Sequence, residues 1–140
     1  VQVLAAPLGV PVDSVHRETS DYGPRLDPFT RRPAFHAGKD FAAYRQSPIV
    51  STAPGRVIYA GWRAGYGRMV EIDHGYGFRT RYGHLHSIDV RRGDEVTTGQ
   101  KLGGMGSTGR STATHLHYEV WFNGNHYDPE RFLRAGRYVH

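Results

Sequence analysis

Between Thr114 and Phe122 the chain reads Thr-His-Leu-His-Tyr-Glu-Val-Trp-Phe, an alternation with a period of two. If extended, it puts His115, His117 and Glu119 on one face and Leu116, Tyr118, Val120 and Phe122 on the other. One face is polar and titratable and the other apolar, the pattern of a strand that packs on a core and floors a site. The same alternation over Met69–His74 and Phe78–His84, around Gly75-Tyr76-Gly77, predicts an antiparallel hairpin with His84 at its far end. Residues 48–62 read as two short strands around Pro54-Gly55, and Val15–Thr19 as a short edge strand. Tyr22–Pro33 carries Pro24, Pro28 and Pro33, which predicts a long irregular loop. Residues 90–105 are turn-rich, and 106–112 form a polar loop leading into the His115 strand. A single helix is expected, capped by Asp128 and opened by Pro129.

Composition agrees with an all-β class. Gly 18, Pro 8 and 12% aromatics favour short strands and many turns. At 140 residues the chain is one domain's length, enough to bury about two thirds of its unfolded surface, so it needs no metal merely to fold. It has no Cys, which leaves His and carboxylate to hold any metal. No apolar run approaches the roughly 18 residues of a membrane helix. The chain starts at Val1, which reads as an excised domain with its targeting segment upstream. Its formal charge of +5 comes mainly from Arg, since Lys39 and Lys101 are the only lysines. Such a surface suits an anionic polymer, either nucleic acid or a cell-wall glycan with its peptide carboxylates, and equally a solvated face. The arginines are scattered and no RNP-like aromatic motif accompanies them, which argues against nucleic acid.

Candidate chemistry sits on histidines. His36 and Asp40 stand four apart, a spacing that puts both on one face of a helix turn or a strand. Two His-x-His pairs follow, His84-Leu85-His86 and His115-Leu116-His117. With 9 histidines in the chain, about one such pair arises by chance, so spacing alone leaves open which pair binds metal. Gly106-Ser107-Thr108-Gly109 lacks the lysine of a phosphate-binding loop and leads to a strand, so nucleotide binding is set aside.

Taken in order, His36-x-x-x-Asp40, Tyr82-Gly83-His84, and Gly106-Ser107-Thr108-Gly109 leading to His115-Leu116-His117 closely resemble the M23 family of zinc metallopeptidases, the lysostaphin-like or LytM group. The likeness runs from about Ser20 to Leu133 and includes the phrases Asp27-Pro28-Phe29-Thr30, Asp40-Phe41-Ala42-Ala43 and Glu71-Ile72-Asp73-His74-Gly75. It implies a lead-in over residues 1–20 and a catalytic domain over 21–140. The fold it implies is an all-β antiparallel sheet with a groove, a duplicated hybrid motif and a minor C-terminal helix. It also implies Zn2+ held by His36, Asp40 and His117, an open three-ligand set, with His84 and His115 as unligated catalytic histidines. On that account His115 moves the proton and His84 stabilises the oxyanion, roles that can be exchanged. A ligating His84 would instead close the site and make the metal structural. Glu119 reads either as a partner that orients a histidine or as an ordinary exposed strand carboxylate.

The activity implied is hydrolysis of peptide cross-links on peptidoglycan stems, in the periplasm or cell envelope, with further domains of a longer chain as partners. The Asp-Pro-Phe-Thr and Gly-Ser-Thr-Gly-Arg-Ser phrases resemble Gram-negative members, which points to the D-alanyl to diaminopimelate bond. Some LytM-like domains have lost zinc ligands and act as non-hydrolytic regulators that bind peptidoglycan or activate cell-wall amidases. Here every ligand position is filled. Two departures stand out: His86 takes a place usually held by another polar residue and reads as a rim residue, and Phe29 and Phe35 lie where staphylococcal members carry a tyrosine.

Overall fold

The alternation around His117 forms a strand that lies inside a large antiparallel sheet. The structure, a computed structural model, describes residues 6–27, 29–109 and 114–139. In chain order the strands are β1 (Arg17–Ser20), β2 (Gly23–Leu26), β3 (Pro33–His36), β4 (Lys39–Ala42), β5 (Pro48–Val50), β6 (Gly55–Arg63), β7 (Gly67–Gly75), β8 (Phe78–Ile88), β9 (Glu95–Val96), β10 (Lys101–Met105), β11 (Leu116–Phe122) and β12 (Asn125–Tyr127). Among the described residues a helix, α1 (Glu130–Val139), follows. Ten strands share one sheet along the path β1-β4-β11-β8-β7-β6-β9, with β10 joining β8 to β5 and β12 extending β11. β2 and β3 form a separate ribbon.

The apolar face of this sheet is the core. Leu116, Tyr118 and Val120 of β11 are buried together with Phe41, Val70, Ile72, Tyr82, Leu85, Leu102 and Met105. Two tyrosines bring hydroxyls into that layer, and both are satisfied: Tyr118 and Tyr82 lie 2.8 and 3.1 Å from Thr52 Oγ1. Thr80 Oγ1 bridges Tyr82 to His74 Nε2, and His74 Nδ1 donates to the Pro54 carbonyl. Burial pushes His74 below its ordinary value, so this histidine is a neutral structural member of the network.

The helix begins as its cap signals require. Asp128 Oδ1 accepts from the Glu130 amide at 3.0 Å, Glu130 lies in the first turn and Arg137 in the last. Leu133 anchors it to the core. The segment before residue 21 also packs on this core, through buried Val12 bridged to Ile49 and through β1 paired with β4. The edge strand expected at Val15–Thr19 lies two residues later, at Arg17–Ser20. Lys39, 3% exposed, holds this corner together by ion pairs to Asp21, Glu18 and Glu130 at 2.8, 3.0 and 3.4 Å.

Three expectations need correction. The proline-rich stretch is not irregular throughout, because Pro24 and Pro33 sit in the β2–β3 ribbon. A two-stranded ribbon is all edge, so a residue lacking an N–H is tolerated there. His36 and Asp40 do not share one element, since the chain leaves β3 and bends at Gly38 before entering β4. His84 lies within β8, which continues to Ile88. The loop residues Arg110, Ser111 and Thr112 lie outside the described residues.

Gly38 makes this bend possible. A Cβ there would meet the Tyr118 carbonyl oxygen at 2.4 Å and His117 Cε1 at 2.9 Å. Gly38→Ala is expected to cost roughly 1–3 kcal/mol of stability, the range of an overpacked interior, read from the urea midpoint. An unchanged midpoint would refute the close-approach argument.

Candidate metal centre and catalytic site

The pairing of β4 with β11 sets Asp40 directly opposite His117, and across the bend at Gly38 His36 lies against both. The result is a triangle: His36 Nε2 to Asp40 Oδ1 is 3.1 Å, His36 Nε2 to His117 Nδ1 is 3.2 Å, and His117 Nδ1 to Asp40 Oδ1 is 3.0 Å. All three side chains are largely removed from solvent.

Outer partners decide which ring nitrogens face inward. The Asp21 carbonyl lies 2.7 Å from His36 Nδ1 and can only accept, so Nδ1 carries the proton. Glu119 Oε2 lies 2.7 Å from His117 Nε2, which therefore donates outward. With those outer N–H groups committed, His36 Nε2, His117 Nδ1 and Asp40 Oδ1 are the atoms that converge, a set that either a metal ion or a proton on His117 Nδ1 holds together. Burial raises Asp40, but His117 and His36 outweigh it and hold the carboxyl well below the usual range. Burial likewise lowers His117, and Asp40 with Glu119 overcomes it, raising the ring to about 9.

This donor set fits zinc. Metal to donor distances of roughly 2.0–2.1 Å place tetrahedral ligand atoms roughly 3.3 Å apart, close to the observed triangle. Among the described residues, these three are the group whose ligand atoms lie within 4.8 Å of one another. His84 is not one of the three.

The other two histidines stand beside the triangle. Between Arg68↔Leu85 and Val70↔Tyr82 the register slips, so Gly83 and His84 face Met69 alone, a bulge. His84 takes φ 62 there, and its amide bonds the Tyr66 carbonyl at 2.6 Å. A side chain in the left-handed region costs roughly 1–3 kcal/mol and persists only where its surroundings enforce it. The bulge aims the ring at His115, centroid to centroid 4.9 Å, with His117 at 6.0 Å. His84 Nδ1 donates to the Thr108 carbonyl at 2.6 Å, leaving Nε2 with its lone pair. Burial pushes His84 down to about 4, so it is neutral near pH 7. His115 bridges Gly106 just before β11, and its Nε2 lies 3.9 Å from Asp40 Oδ2. The structure thus brings His36, Asp40, His84, His115 and His117 into one cluster. His86 is apart from it, half-buried against Arg45 and Gln46 at 3.3 Å.

The sequence pattern of peptidase family M23 matches residues 34–129. The chain belongs to peptidase family M23. Over 115 residues it is 43% identical to the peptidoglycan DD-endopeptidase ShyA of Vibrio cholerae, covering 81% of this chain and 27% of that one. It is 42% identical over 97 residues to the murein hydrolase activator NlpD of Salmonella typhimurium, covering 69% of this chain and 26% of that one. The chain thus spans about a quarter of the length of these relatives. A solved zinc containing peptidase from Vibrio cholerae superposes with a TM-score of 0.78 at 39% identity, over 84% of this chain and 37% of that one. The all-β M23 fold is that of this protein.

Some members of this M23 site were not legible in the sequence. Asp21 acts through its backbone carbonyl, for which no side-chain signature exists. Tyr66, in the Gly65-Tyr66-Gly67 turn, donates to Glu119 at 3.0 Å, and Trp121 Nε1 donates to the same carboxylate at 2.8 Å. Glu119, 2% exposed, is thereby the histidine-orienting partner and not an exposed strand residue.

The His84 shift has a definite sign. Its folded value of about 4 lies below the ordinary 6.5, so the neutral ring stabilises the fold above pH 6.5. As the pH falls from 6.5 to 4 the unfolded chain takes up a proton that the folded chain refuses, and stability falls by on the order of 2 kcal/mol. Urea unfolding of the metal-free protein is expected to show this slope and His84→Gln to flatten it. Identical slopes would contradict the burial argument.

Proposed function

We propose that this M23 domain is a zinc-dependent endopeptidase that hydrolyses peptide cross-links of bacterial peptidoglycan, at the D-alanyl to diaminopimelate bond, outside the cytoplasm. The observation that supports it is the triangle of His36, Asp40 and His117, whose potential ligand atoms converge because Asp21 and Glu119 hold the outer ring N–H groups. The DD-endopeptidase relative supports the choice of bond. When bound, zinc supplies Lewis acidity toward the scissile carbonyl and lowers the pKa of water from 15.7 to roughly 7.

The remaining work falls to this chain's own histidines. His84 is neutral and, with Nδ1–H committed to Thr108, offers Nε2 as an acceptor. A neutral ring in that tautomer cannot donate to an oxyanion from Nε2, so His84 takes the proton of the attacking water. His115, beside Asp40, hydrogen-bonds the developing oxyanion, and His84 returns the proton to the leaving amine as the C–N bond breaks. This is the exchanged form of the roles first drawn from the resemblance, and the His84 tautomer is what favours it.

The second reading, a non-hydrolytic domain that activates a murein hydrolase, has the NlpD relative in its favour. Zinc content and release of muropeptides from purified sacculi, measured on one preparation, decide between them. One zinc per chain with hydrolysis at the D-alanyl to diaminopimelate bond is the expected result, and a zinc-free, inactive protein would overturn the peptidase reading.

The ligand set has its own test. His117→Ala is expected to lose the zinc, because two donors do not retain the ion at the affinity of three. Stoichiometric zinc in that variant would refute the triangle as the metal site.

His84→Ala and His115→Ala are expected to keep the zinc and lose turnover by about 10² to 10⁴-fold. Zinc lost from His84→Ala would make it a fourth ligand and the site a closed, structural one.

A further inference from the structure

The polar face of the sheet does not end at the metal centre. Residues directly opposite one another on neighbouring strands share a face, so the pairings define successive rows. Asp40, His117 and Gly83 form the first row. Glu119, Arg81 and Glu71 form the second, and His126, Trp121, Arg79 and Asp73 the third. Trp121 is four residues along β11 from His117, roughly 13 Å at 3.3 Å per residue. A cleft of about 400 Å³ opens over the second and third rows, lined by Glu71, Arg79, Arg81, Trp121, Asn123 and neighbouring glycines.

Charge in this cleft is arranged around buried acids. Glu71, 4% exposed, accepts from Arg63 Nη1 at 3.4 Å and forms an ion pair with Arg81, Nε at 3.3 Å. Arg81 is further committed to the Tyr66 hydroxyl at 3.1 Å, to Glu119 at 3.7 Å, and to the face of Trp121 at 4.5 Å. Glu119 already accepts from His117, Tyr66 and Trp121. Three guanidiniums, Arg63, Arg79 and Arg81, share this face with Glu71, Glu119 and, in the third row, Asp73, and Arg79 is the one held most loosely. Its side chain is 53% exposed, and its ion pair among the described residues is a loose 3.9 Å to Glu71. Asp73 in its row caps its own turn by accepting from the Gly75 amide. Arg79 stands at an open cleft with donors to spare, beside an aromatic floor.

We propose that the cleft floored by Trp121 is an anion subsite in which Arg79 binds a carboxylate of an extended peptide, about four residues from the bond positioned at His117. This rests on the peptidase reading for the nature of the peptide. Arg81 and Glu71 hold the site rigid, and Arg79 selects the ligand. An extended peptide covers 3.3–3.6 Å per residue, so a chain crossing from the metal centre reaches Arg79 with about its fourth residue.

Two synthetic stem-peptide dimers, identical except that the carboxylate at that position is free or amidated, test it. Affinity is read as Kd on the metal-free protein and as kcat/KM on the zinc-loaded protein. The parent is expected to prefer the free acid by about 5- to 10-fold, the range of a charge-assisted bond at a half-exposed site. Arg79→Gln is expected to lose that preference by weakening only the acid, with zinc content and affinity for the amide unchanged. A parent that does not discriminate, or a preference that survives in Arg79→Gln, overturns the subsite. Failure of the zinc-loaded parent to cleave either dimer counts against the peptidase reading alone, because the acid to amide ratio is still read from Kd.

Discussion

The antiparallel pairing of β11 with β4 on one side and β8 on the other governs the chemistry of this domain. It fixes His117 opposite Asp40 and opposite Gly83, a residue without a side chain to crowd the ring. A shift of one residue in either pairing would send His117 into the core and Leu116 to the surface, because side chains alternate with a period of two. The same alternation buries Leu116, Tyr118 and Val120, so the hydrophobic effect that fixes the register also fixes the triangle of His36, Asp40 and His117. Packing and chemistry are two faces of one strand.

Around that strand, polar groups are buried only where partners satisfy them. Glu119 carries the most: it orients His117 and accepts from Tyr66 and Trp121 while Arg81 approaches it. Removing its charge would loosen His117, unpair the tyrosine and tryptophan donors and free Arg81 at once, because a partner stranded in a low-dielectric site costs more than the bond it made. Lys39 plays the corresponding part at the opposite edge, where its bond to Asp21 steadies the segment whose carbonyl orients His36. Both histidines of the triangle are thus held by groups outside it, one through a side chain and one through the backbone. His84 is held differently, by a bulge and a left-handed backbone, and its fixed tautomer is what gives it an acceptor's role.

Local pattern was enough to determine the all-β class, the β7–β8 hairpin, the capped helix and the two faces of β11, since a period of two and a cap residue act within a few positions of themselves. The order of the His36, Asp40, His84, His115 and His117 motifs was equally plain in the sequence. How they meet was not. His36 and Asp40 are joined by a bend between two sheets rather than by a shared element, and that depends on Gly38 lying against the Tyr118 carbonyl, a contact 80 residues away in the chain. The proline-rich stretch became a ribbon because its prolines found edge positions, which exist only once strands are paired. Asp21 contributes a carbonyl, Tyr66 a hydroxyl from a glycine turn, and Arg79 a half-exposed guanidinium only loosely paired to Glu71. Each of these depends on distance in space between residues remote in sequence, and sequence spacing carries no measure of that.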